Sequence, residues 1–368
     1  MKIEQLLIRD FRNLSAVEIE PAPQLNVFTG SNAQGKTNLL EAIQVLSTGT
    51  SFRRANDRDL LCYLADLYRV SARYALEQRQ LEATLQYRPE NGKVLTINKK
   101  RVNWSHPDRI KVVSFTPDDL LLVKGAPERR RNFLDGLLKQ ISTEYAFRWE
   151  NFNKTLKKRN FLFKLEKIDK KKQAAIDEVF LENGSYLVLK RIQLINYIND
   201  YLQSFFNVET GEVEQLKLKY AVSMRVERDK LDLSSLQEAF RENMELRKEE
   251  EWRRGRSLLG PHLDDFNIYL GERNAAFYAS QGQQRNIVVS LKWSELYSIH
   301  RISGNYPIFL LDEVLAELDH GKQEELLRRL SQAPFQSFMS SVNIDRIQDS
   351  LPGRTWQVVQ GKLEQRGE

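Results

Sequence analysis

The sequence has very little cysteine and histidine. Cys62 is its only cysteine, and its four histidines lie far apart along the 368 residues. A single thiol excludes an intrachain disulfide and a thiolate-based metal site, and the histidine spacing matches no metal-ligand motif. No apolar run approaches the roughly 18 residues that a bilayer span needs, and the acidic Glu4 comes too early for a secretory signal. We therefore expect a soluble, cytoplasmic protein with no membrane partner.

The overall composition is that of a globular protein. Hydrophobic residues make up 41% and charged residues 29%, which excludes a mostly disordered chain. The formal net charge is only +6, so the position of the basic residues is more informative than their number. At roughly 100–200 residues per domain, the length suggests two or three packing units, or one large head with an insertion.

A helical segment is predicted in the middle of the chain. The N-terminal third reads mostly as strands, with one helix over about 36–47. From Pro127 to residue 156, apolar residues recur every three or four positions, which is a helical pattern, and a second such stretch covers about 174–206. Lys170-Lys171-Lys172 lies between the two stretches. This order predicts an antiparallel helical hairpin, an arm of roughly 50 Å, with the lysine run near its tip.

The C-terminal part mixes helices and strands. We expect a strand over 216–222, a helix over 232–253, strands over 266–270 and 276–279, a helix over 282–300 and a strongly apolar strand ending at Leu311. The whole pattern predicts an α/β fold made of a head and an arm. In this division 1–125 and 213–368 form the head, lobe I, with a signature region near 260–300, and 126–212 form the helical arm, part of lobe II.

A phosphate-binding loop follows the β-prone run that ends at Thr29. Glycines let the backbone curl around a phosphate, and the positive end of the next helix points at it. In this pattern Lys36 would reach the β- and γ-phosphates and Thr37 would hold Mg²⁺. The P-loop pattern, Gly-x4-Gly-Lys-Thr, is met by Gly30-Ser31-Asn32-Ala33-Gln34-Gly35-Lys36-Thr37.

The apolar strand before Asp312-Glu313 is typical of a Walker B motif. Such a strand is buried on both faces of a parallel sheet, and the two acids follow its C-terminal end. Asp312 would meet Mg²⁺, and Glu313 would polarise the attacking water. Lys36 and Asp312 are 276 positions apart. A gap of this size, filled by strands and a helical hairpin, favours an ABC-type ATPase head, a P-loop mixed sheet with an inserted helical lobe.

Two further motifs lie near the Walker B strand. Ser280-Gln281-Gly282-Gln283-Gln284-Arg285 stands at the predicted start of the 282–300 helix, where a hydroxyl and free N–H groups form a second phosphate site. Ser280, Gly282 and Gln283 are its candidate nucleotide contacts, on the γ-phosphate of a partner subunit. Ala316-Glu317-Leu318-Asp319 fits a D-loop, with Asp319 at the dimer interface.

Together these motifs resemble the RecF family, bacterial recombination and repair ATPases related to SMC heads. The resemblance runs from residue 9 to 319 in the family's order. It rests on Asp10-Phe11-Arg12-Asn13-Leu14, the P-loop extended through Asn38-Leu39-Leu40-Glu41-Ala42, Ser51-Phe52-Arg53, Phe115-Thr116-Pro117-Asp118-Asp119-Leu120, Val123–Arg131, Gly260-Pro261-His262-Leu263-Asp264-Asp265, Ser280–Arg285 and Leu311-Asp312-Glu313-Val314.

The resemblance implies an ATPase with Mg²⁺ as its cofactor. It also implies nucleotide contacts by Arg12 and Asn38, an ATP-dependent homodimer, binding of double-stranded or gapped DNA, and release on slow hydrolysis. A RecR-like mediator, with RecO, would act with it to load RecA in gap repair, replication and the SOS response. The family usually has Arg where Leu263 stands and often a second Asp where Glu313 stands, and no switch histidine occurs near 340–342.

Basic residues concentrate between Lys154 and Lys172. This local excess, with Phe161 and Phe163 interleaved, suits a surface that tracks DNA phosphates; a solvated helix face is the alternative. A second basic turn is the weaker candidate. The predicted DNA contacts are Lys154, Lys157, Lys158, Arg159, Lys170, Lys171 and Lys172, and in the second turn Lys99, Lys100 and Arg101.

Two other classes of ATPase share the generic motifs. The nucleotide-binding subunit of a membrane transporter has its helical lobe directly before the signature, whereas the hairpin here ends about 75 residues before Ser280. Another SMC-like head, paired with a nuclease, would show a cluster of carboxylates or histidines, and none is visible. ATP-dependent DNA binding without membranes separates the first hypothesis from the transporter.

Overall fold

The structure, a computed structural model, divides into two compact units. Unit 1 comprises Met1–Asp119 and Ile299–Glu368, and unit 2 comprises Leu120–Ser298. The structure describes residues 1–165, 169–210, 214–226, 231–317, 320–342 and 353–366.

The described elements are strands and helices in groups along the chain. The strands are β1 (Lys2–Phe11), β2 (Leu14–Ile19), β3 (Leu25–Thr29), β4 (Tyr68–Leu76), β5 (Arg79–Arg88), β6 (Gly92–Ile97), β7 (Lys100–Val102), β8 (Val112–Phe115), β9 (Leu216–Ala221), β10 (Asp265–Leu270), β11 (Arg273–Asn274), β12 (Ile308–Leu311), β13 (Ser337–Ser341), β14 (Gly353–Val359) and β15 (Lys362–Arg366). The helices are α1 (Lys36–Thr48), α2 (Leu121–Lys124), α3 (Pro127–Ile141), α4 (Thr143–Leu162), α5 (Lys170–Thr210), α6 (Leu233–Arg254), α7 (Ala275–Tyr278), α8 (Gln281–Ser303) and α9 (His320–Gln332). In the described part of the chain, no helix is long and apolar enough to cross a membrane.

A mixed sheet in unit 1 positions the chemistry. Its order is β15-β14-β3-β13-β12-β8, parallel except for β15. Every residue of β3, β12 and β13 is buried, as expected for central strands of a parallel sheet that is covered on both faces. Strand β12 is wholly apolar, whereas β3 and β13 also carry buried Asn, Thr and Ser side chains. Because the strands are parallel, the segments that follow β3 and β12 meet at the same edge of the sheet.

A second, antiparallel sheet completes unit 1. Its order is β2-β1-β4-β5-β6-β7. The inward side chains of β1, β4 and β5 form one apolar core with helix α1, which contributes Leu39, Leu40 and Ile43. Helix α1 is therefore fixed by packing along its length, and the loop that precedes it is held against the sheet edge.

The helical hairpin of unit 2 consists of α4 and α5. Arg159 near the end of α4 pairs with Asp177 near the start of α5, and Tyr145 near the start of α4 lies beside Arg191 further along α5. This register is antiparallel, as predicted. The continuous helix predicted from Pro127 to 156 is wrong, however, because the backbone at Ser142 is extended and separates α3 from α4. The Ser142 side chain caps α4 by accepting from the Tyr145 N–H.

Two further differences from the sequence prediction lie in unit 2. The strand predicted over 276–279 is wrong: Ala275–Tyr278 is a short helix, because the Asn274 side chain caps it by accepting from the Ala276 N–H. The unit also takes in β9, α6, β10 and most of α8. The predicted arm, 126–212, is thus one part of a larger compact unit, whereas the sequence division placed 213–298 with the head.

Candidate nucleotide-binding site

The P-loop joins β3 to α1, and at two of its positions a residue other than glycine would be strained. Gly30 has φ +144° and Gly35 φ +116°, a region that favours glycine. A Cβ on Gly30 would lie 2.5 Å from the Val358 carbonyl oxygen, and one on Gly35 would lie 2.8 Å from the Asn13 side chain. The loop therefore curls closely against its own unit, as a phosphate cradle requires.

The rest of the loop is exposed at its tip and fastened at one side. Ser31, Asn32 and Ala33 are exposed. The Gln34 carbonyl accepts from the Gly361 N–H at 2.9 Å, and the Gln34 Oε1 accepts from the Gln360 N–H at 2.6 Å. The turn between β14 and β15 thus holds the loop, which leaves the tip free to present its backbone.

Lys36 bends back over the P-loop. Its Nζ donates to the carbonyl oxygens of Gly30 at 2.7 Å and Ser31 at 2.9 Å. Burial lowers the pKa of the Lys36 ammonium, and the nearby carboxylates of Glu313 and Asp312 oppose that shift. Lys36 and Asp312 are 276 positions apart in the sequence, and the fold brings them within electrostatic reach of one another.

Asp312 lies in a buried hydroxyl network. Its carboxylate accepts from the Thr37 hydroxyl, and its Oδ1 accepts from Ser340 Oγ at 2.8 Å. Burial raises the pKa of Asp312, against these hydrogen bonds and the positive charge of Arg53. A cation bound beside Asp312 would stabilise the ionised form of its carboxylate. Thr37 and Asp312 together offer the oxygen ligands that Mg²⁺ prefers.

Ser340 is a site residue that the sequence reasoning missed. Besides donating to Asp312, its Oγ accepts from the Glu313 N–H at 2.9 Å. Glu313 itself adopts φ +54°, a left-handed conformation that is uncommon for a residue other than glycine. Ser340 stands near the end of β13, in the region where the sequence lacks a switch histidine, and it holds the carboxylate of Asp312 and the backbone N–H of Glu313.

Arg12 and Asn38 lie in a polar network at the start of α1. Arg12 forms a bidentate pair with the fully buried Glu41, at 2.9 Å from each oxygen, and Ser51 Oγ also donates to Glu41. Asn38 accepts from Arg53 at 2.9 Å and donates to Asn13 at 2.8 Å. These contacts fix the helix that carries Lys36 and Thr37. In the sequence, Glu41 is only part of the extended P-loop motif, and that motif does not predict its pairing with Arg12.

The signature residues lie in unit 2 at the start of α8. Ser280 Oγ accepts from the Gln283 N–H at 3.2 Å, and Gln283 Oε1 accepts from the Ser280 N–H at 3.0 Å. This is a reciprocal helix cap. Ser280 and Gly282 are exposed, and a Cβ on Gly282 would meet nothing. Asp319, the predicted D-loop residue, lies outside the described residues.

The predicted DNA contacts are exposed, with one exception. The exposed side chains are Lys154, Lys157, Lys158, Lys170, Lys171 and Lys172 on the hairpin, and Lys99, Lys100 and Arg101 at the β6–β7 turn. Lys154 is 3.7 Å from Glu150. Lys100 and Arg101 also line an open groove of about 890 Å³ with Arg79 and His106.

Arg159 is the exception, and its assignment as a DNA contact is wrong. Its side chain is only 4% exposed and lies 2.7 Å from both Asp177 and the fully buried Glu251, with Ser257 Oγ at 2.8 Å. Burial opposes its charge, but the hydrogen bonds and charges of Glu251 and Asp177 outweigh burial and raise the pKa of Arg159. The guanidinium ties α4, α5 and α6 together and has no free face for a phosphate.

We expect Arg159→Met to destabilise the protein. The change leaves Glu251 buried without its cation, which costs about 3–5 kcal/mol of unfolding free energy. Lys158→Met, one residue earlier and exposed, is the control and should change stability by less than about 0.5 kcal/mol. Denaturant unfolding measures both, and equal stabilities would contradict the buried network.

Comparisons with known proteins agree with this architecture. A family model for the RecF/RecN/SMC N-terminal domain matches residues 2–360. A DNA replication and repair protein RecF from an Exiguobacterium species is 33% identical over 99% of both chains. The RecF of Bacillus cereus is 33% identical over 95% of this chain and 94% of its own.

Solved structures extend the comparison. A recombination mediator protein RecF of the RecFOR pathway, solved with ATP, superposes with a TM-score of 0.90 at 26% identity, over 100% of this chain and 98% of that one. The Smc head domain of Pyrococcus furiosus shares the fold, with a TM-score of 0.56 at 14% identity over 99% and 96% of the two chains.

The sheet, the P-loop and the inserted helical lobe define an ABC-type ATPase head of the SMC-like class, so the predicted fold class is confirmed. Within that class, the chain belongs to the RecF family.

Proposed function

We propose that this chain is an ATP-dependent DNA-binding protein of replication and repair. One observation carries the proposal: the P-loop lysine, the Thr37 hydroxyl and the buried Asp312 with its neighbour Glu313 come together at one edge of the parallel sheet. A cation-lined cradle beside paired carboxylates suits the triphosphate of ATP and its Mg²⁺.

Each residue of the site has a chemical role in this proposal. The exposed backbone of Ser31–Ala33 and the Lys36 ammonium bind the phosphates. Thr37 and Asp312 hold Mg²⁺, which would neutralise charge on the phosphates. No group of three or more His, Cys, Asp or Glu side chains that could hold a metal occurs in the described ranges. Glu313 orients and deprotonates the attacking water.

We further propose that ATP joins two copies of the chain. The exposed Ser280 and the positive end of the α8 helix suit a phosphate, and in this proposal they meet the nucleotide of the second copy. Asp319 would lie in the same interface. Hydrolysis, which we expect to be weak and stimulated by DNA, then separates the two copies.

The relatives support a pathway for this activity. They are described as DNA replication and repair proteins, and one as a recombination mediator of the RecFOR pathway. By this relationship we propose that the chain acts in the cytoplasm with a RecR-like mediator and RecO. It would load RecA at gapped DNA and contribute to the SOS response.

The Glu313→Gln variant tests the proposed function. It should bind ATP as well as the parent, hydrolyse it far more slowly and accumulate as a dimer, because an intact γ-phosphate stays between the subunits. Light scattering after gel filtration with and without ATP measures the dimer. Glu364→Gln, an exposed carboxylate on β15, is the control and should behave as the parent. A Glu313→Gln chain that stays monomeric in saturating ATP would count against the proposed dimer.

Removing lysines from the hairpin should weaken DNA binding. In Lys157→Ala/Lys158→Ala, two exposed charges leave α4, so the slope of log affinity against log salt should become shallower by about 2. Lys217→Ala/Lys219→Ala removes two exposed lysines from β9 in the same unit and should leave the slope unchanged. A titration of duplex DNA at several salt concentrations measures both. If only the β9 variant weakened binding, the hairpin would not be the DNA surface.

A further inference from the structure

Two neighbouring aromatic side chains in unit 2 point into solvent. Phe277 is 79% exposed and Tyr278 is 68% exposed, at the end of α7. Helix α2 packs beside α7, and its Leu121 is 40% exposed. Single exposed apolar residues are ordinary, but adjacent large ones form a patch of the kind that marks an interaction site.

The local fold holds this pair outward. Ala275 and Ala279 are 1% and 6% exposed, so the inward positions of the turn carry the small residues and the outward positions carry the large ones. The Asn274 side chain caps the turn, and Gln284 Nε2 donates to the Ala279 carbonyl at 2.7 Å. The turn is therefore anchored at both ends, so little backbone entropy is lost when the aromatic rings bind a partner.

The pair lies next to the proposed phosphate contact of the signature. Tyr278 is two residues before Ser280, so their Cα atoms are at most about 7 Å apart. Both side chains are exposed, so a protein surface that contacts the Ser280 hydroxyl can also reach the Tyr278 ring.

We propose that Phe277 and Tyr278 are contact residues for a second copy of this chain, which they meet on the surface around its P-loop. The inference rests on the proposed ATP-dependent dimer and adds the apolar part of its interface. Aromatic side chains in the dry centre of an interface, beside a polar contact, supply most of the binding free energy in many complexes.

The charge of the segment favours a protein partner over nucleic acid. Between residues 272 and 284 the charged side chains are one acid, Glu272, and one base, Arg273. A surface that binds a polyanion carries a local excess of Lys and Arg. The exposed lysines 157, 158 and 170–172 provide such an excess on the hairpin, and this segment does not.

Dimerisation of a double variant tests the inference. In a Glu313→Gln background, Phe277→Ala/Tyr278→Ala should raise the dimer dissociation constant in saturating ATP at least about 30-fold, with ATP affinity of the monomer unchanged. Phe147→Ala is the control: Phe147 is a 65% exposed residue on α4, and its removal should leave dimerisation unchanged. Analytical ultracentrifugation gives the dissociation constants.

A second measurement needs no loss of function. With the photocrosslinker p-benzoylphenylalanine in place of Phe277, ultraviolet light should yield a covalent dimer only when ATP is present; the same group in place of Phe147 should yield none. A double variant that dimerises like its parent overturns the inference alone, as does one that keeps the dimer but loses DNA affinity. A parent that stays monomeric in ATP overturns the proposed dimer and this inference with it.

Discussion

A Lys36→Met chain should lose ATP binding by about two orders of magnitude and should show no measurable hydrolysis. Methionine keeps the length of the side chain but removes the ammonium, which now donates to two loop carbonyls at 2.7 and 2.9 Å and in the proposal turns to the phosphates. Charge-assisted hydrogen bonds of this kind contribute about 1.5–3 kcal/mol each. Calorimetric titration with ATP and a phosphate-release assay measure the two quantities.

Lys93 offers a matched control for Lys36. Its ammonium also donates to a backbone carbonyl, that of Gly49, and lies 2.7 Å from Asp57 in the same unit. Lys93→Met should therefore lower stability while leaving ATP affinity intact, since none of its partners belongs to the P-loop. Wild-type ATPase activity in Lys36→Met would show that the P-loop assignment is wrong.

The P-loop and the Walker B acids could be predicted because their chemistry is local in sequence. Each motif carries its charged groups and its strand within a few positions, and the P-loop also carries its glycines and the start of its helix. Parallel strands then bring the two motifs to one edge, and a buried apolar strand that ends in acid indicates the second motif when it is paired with the P-loop. The predicted α/β head followed from these elements.

The supporting residues could not be predicted because their partners are distant and follow no spacing rule. Ser340 bridges Asp312 and the Glu313 backbone from β13, and Arg12 reaches Glu41 from the end of β1. A serine in a strand and a glutamate in a helix have many ordinary uses. Their roles depend on how the strands are ordered in the sheet, and the sequence pattern does not specify that order.

The sequence contains a signal that the Arg159 side chain is buried. The apolar positions 152 and 156 of the hairpin stripe are four residues apart, and three more residues lead to Arg159, so its side chain falls on the buried face of α4. Its neighbours Lys157 and Lys158 fall on the exposed face. Counting basic residues along the segment therefore included Arg159, although its helical phase places it on the buried face.

Ser280→Arg should abolish ATP-driven dimerisation while ATP still binds to the isolated chain. Ser280 is exposed and caps α8, so the loss of the cap costs only about 1 kcal/mol, whereas the bulky cation displaces the hydroxyl from the proposed contact with the second copy. Hydrolysis should fall with the dimer. Affinity for DNA in ATP should fall as well, because two basic arms joined in one dimer gain from effective concentration by on the order of 10²–10⁴.

Ser142→Arg controls for the loss of a helix cap. Ser142 caps α4 through the Tyr145 N–H in the same way, and its replacement should cost stability without affecting the ATP dimer. A fully active Ser280→Arg chain would reduce the signature to an ordinary helix cap and would contradict the proposed contact with the second copy.

Mixing Ser280→Arg with Lys36→Met distinguishes composite sites from independent ones. A mixed dimer has one composite site that carries both changes and one that carries neither, so partial ATPase activity should return although each variant alone is inactive. The measurement is phosphate release at varied mixing ratios, with heterodimers verified by differently tagged chains. If heterodimers form and remain inactive, then either hydrolysis requires two intact sites or Ser280 does not act on the nucleotide of the second copy.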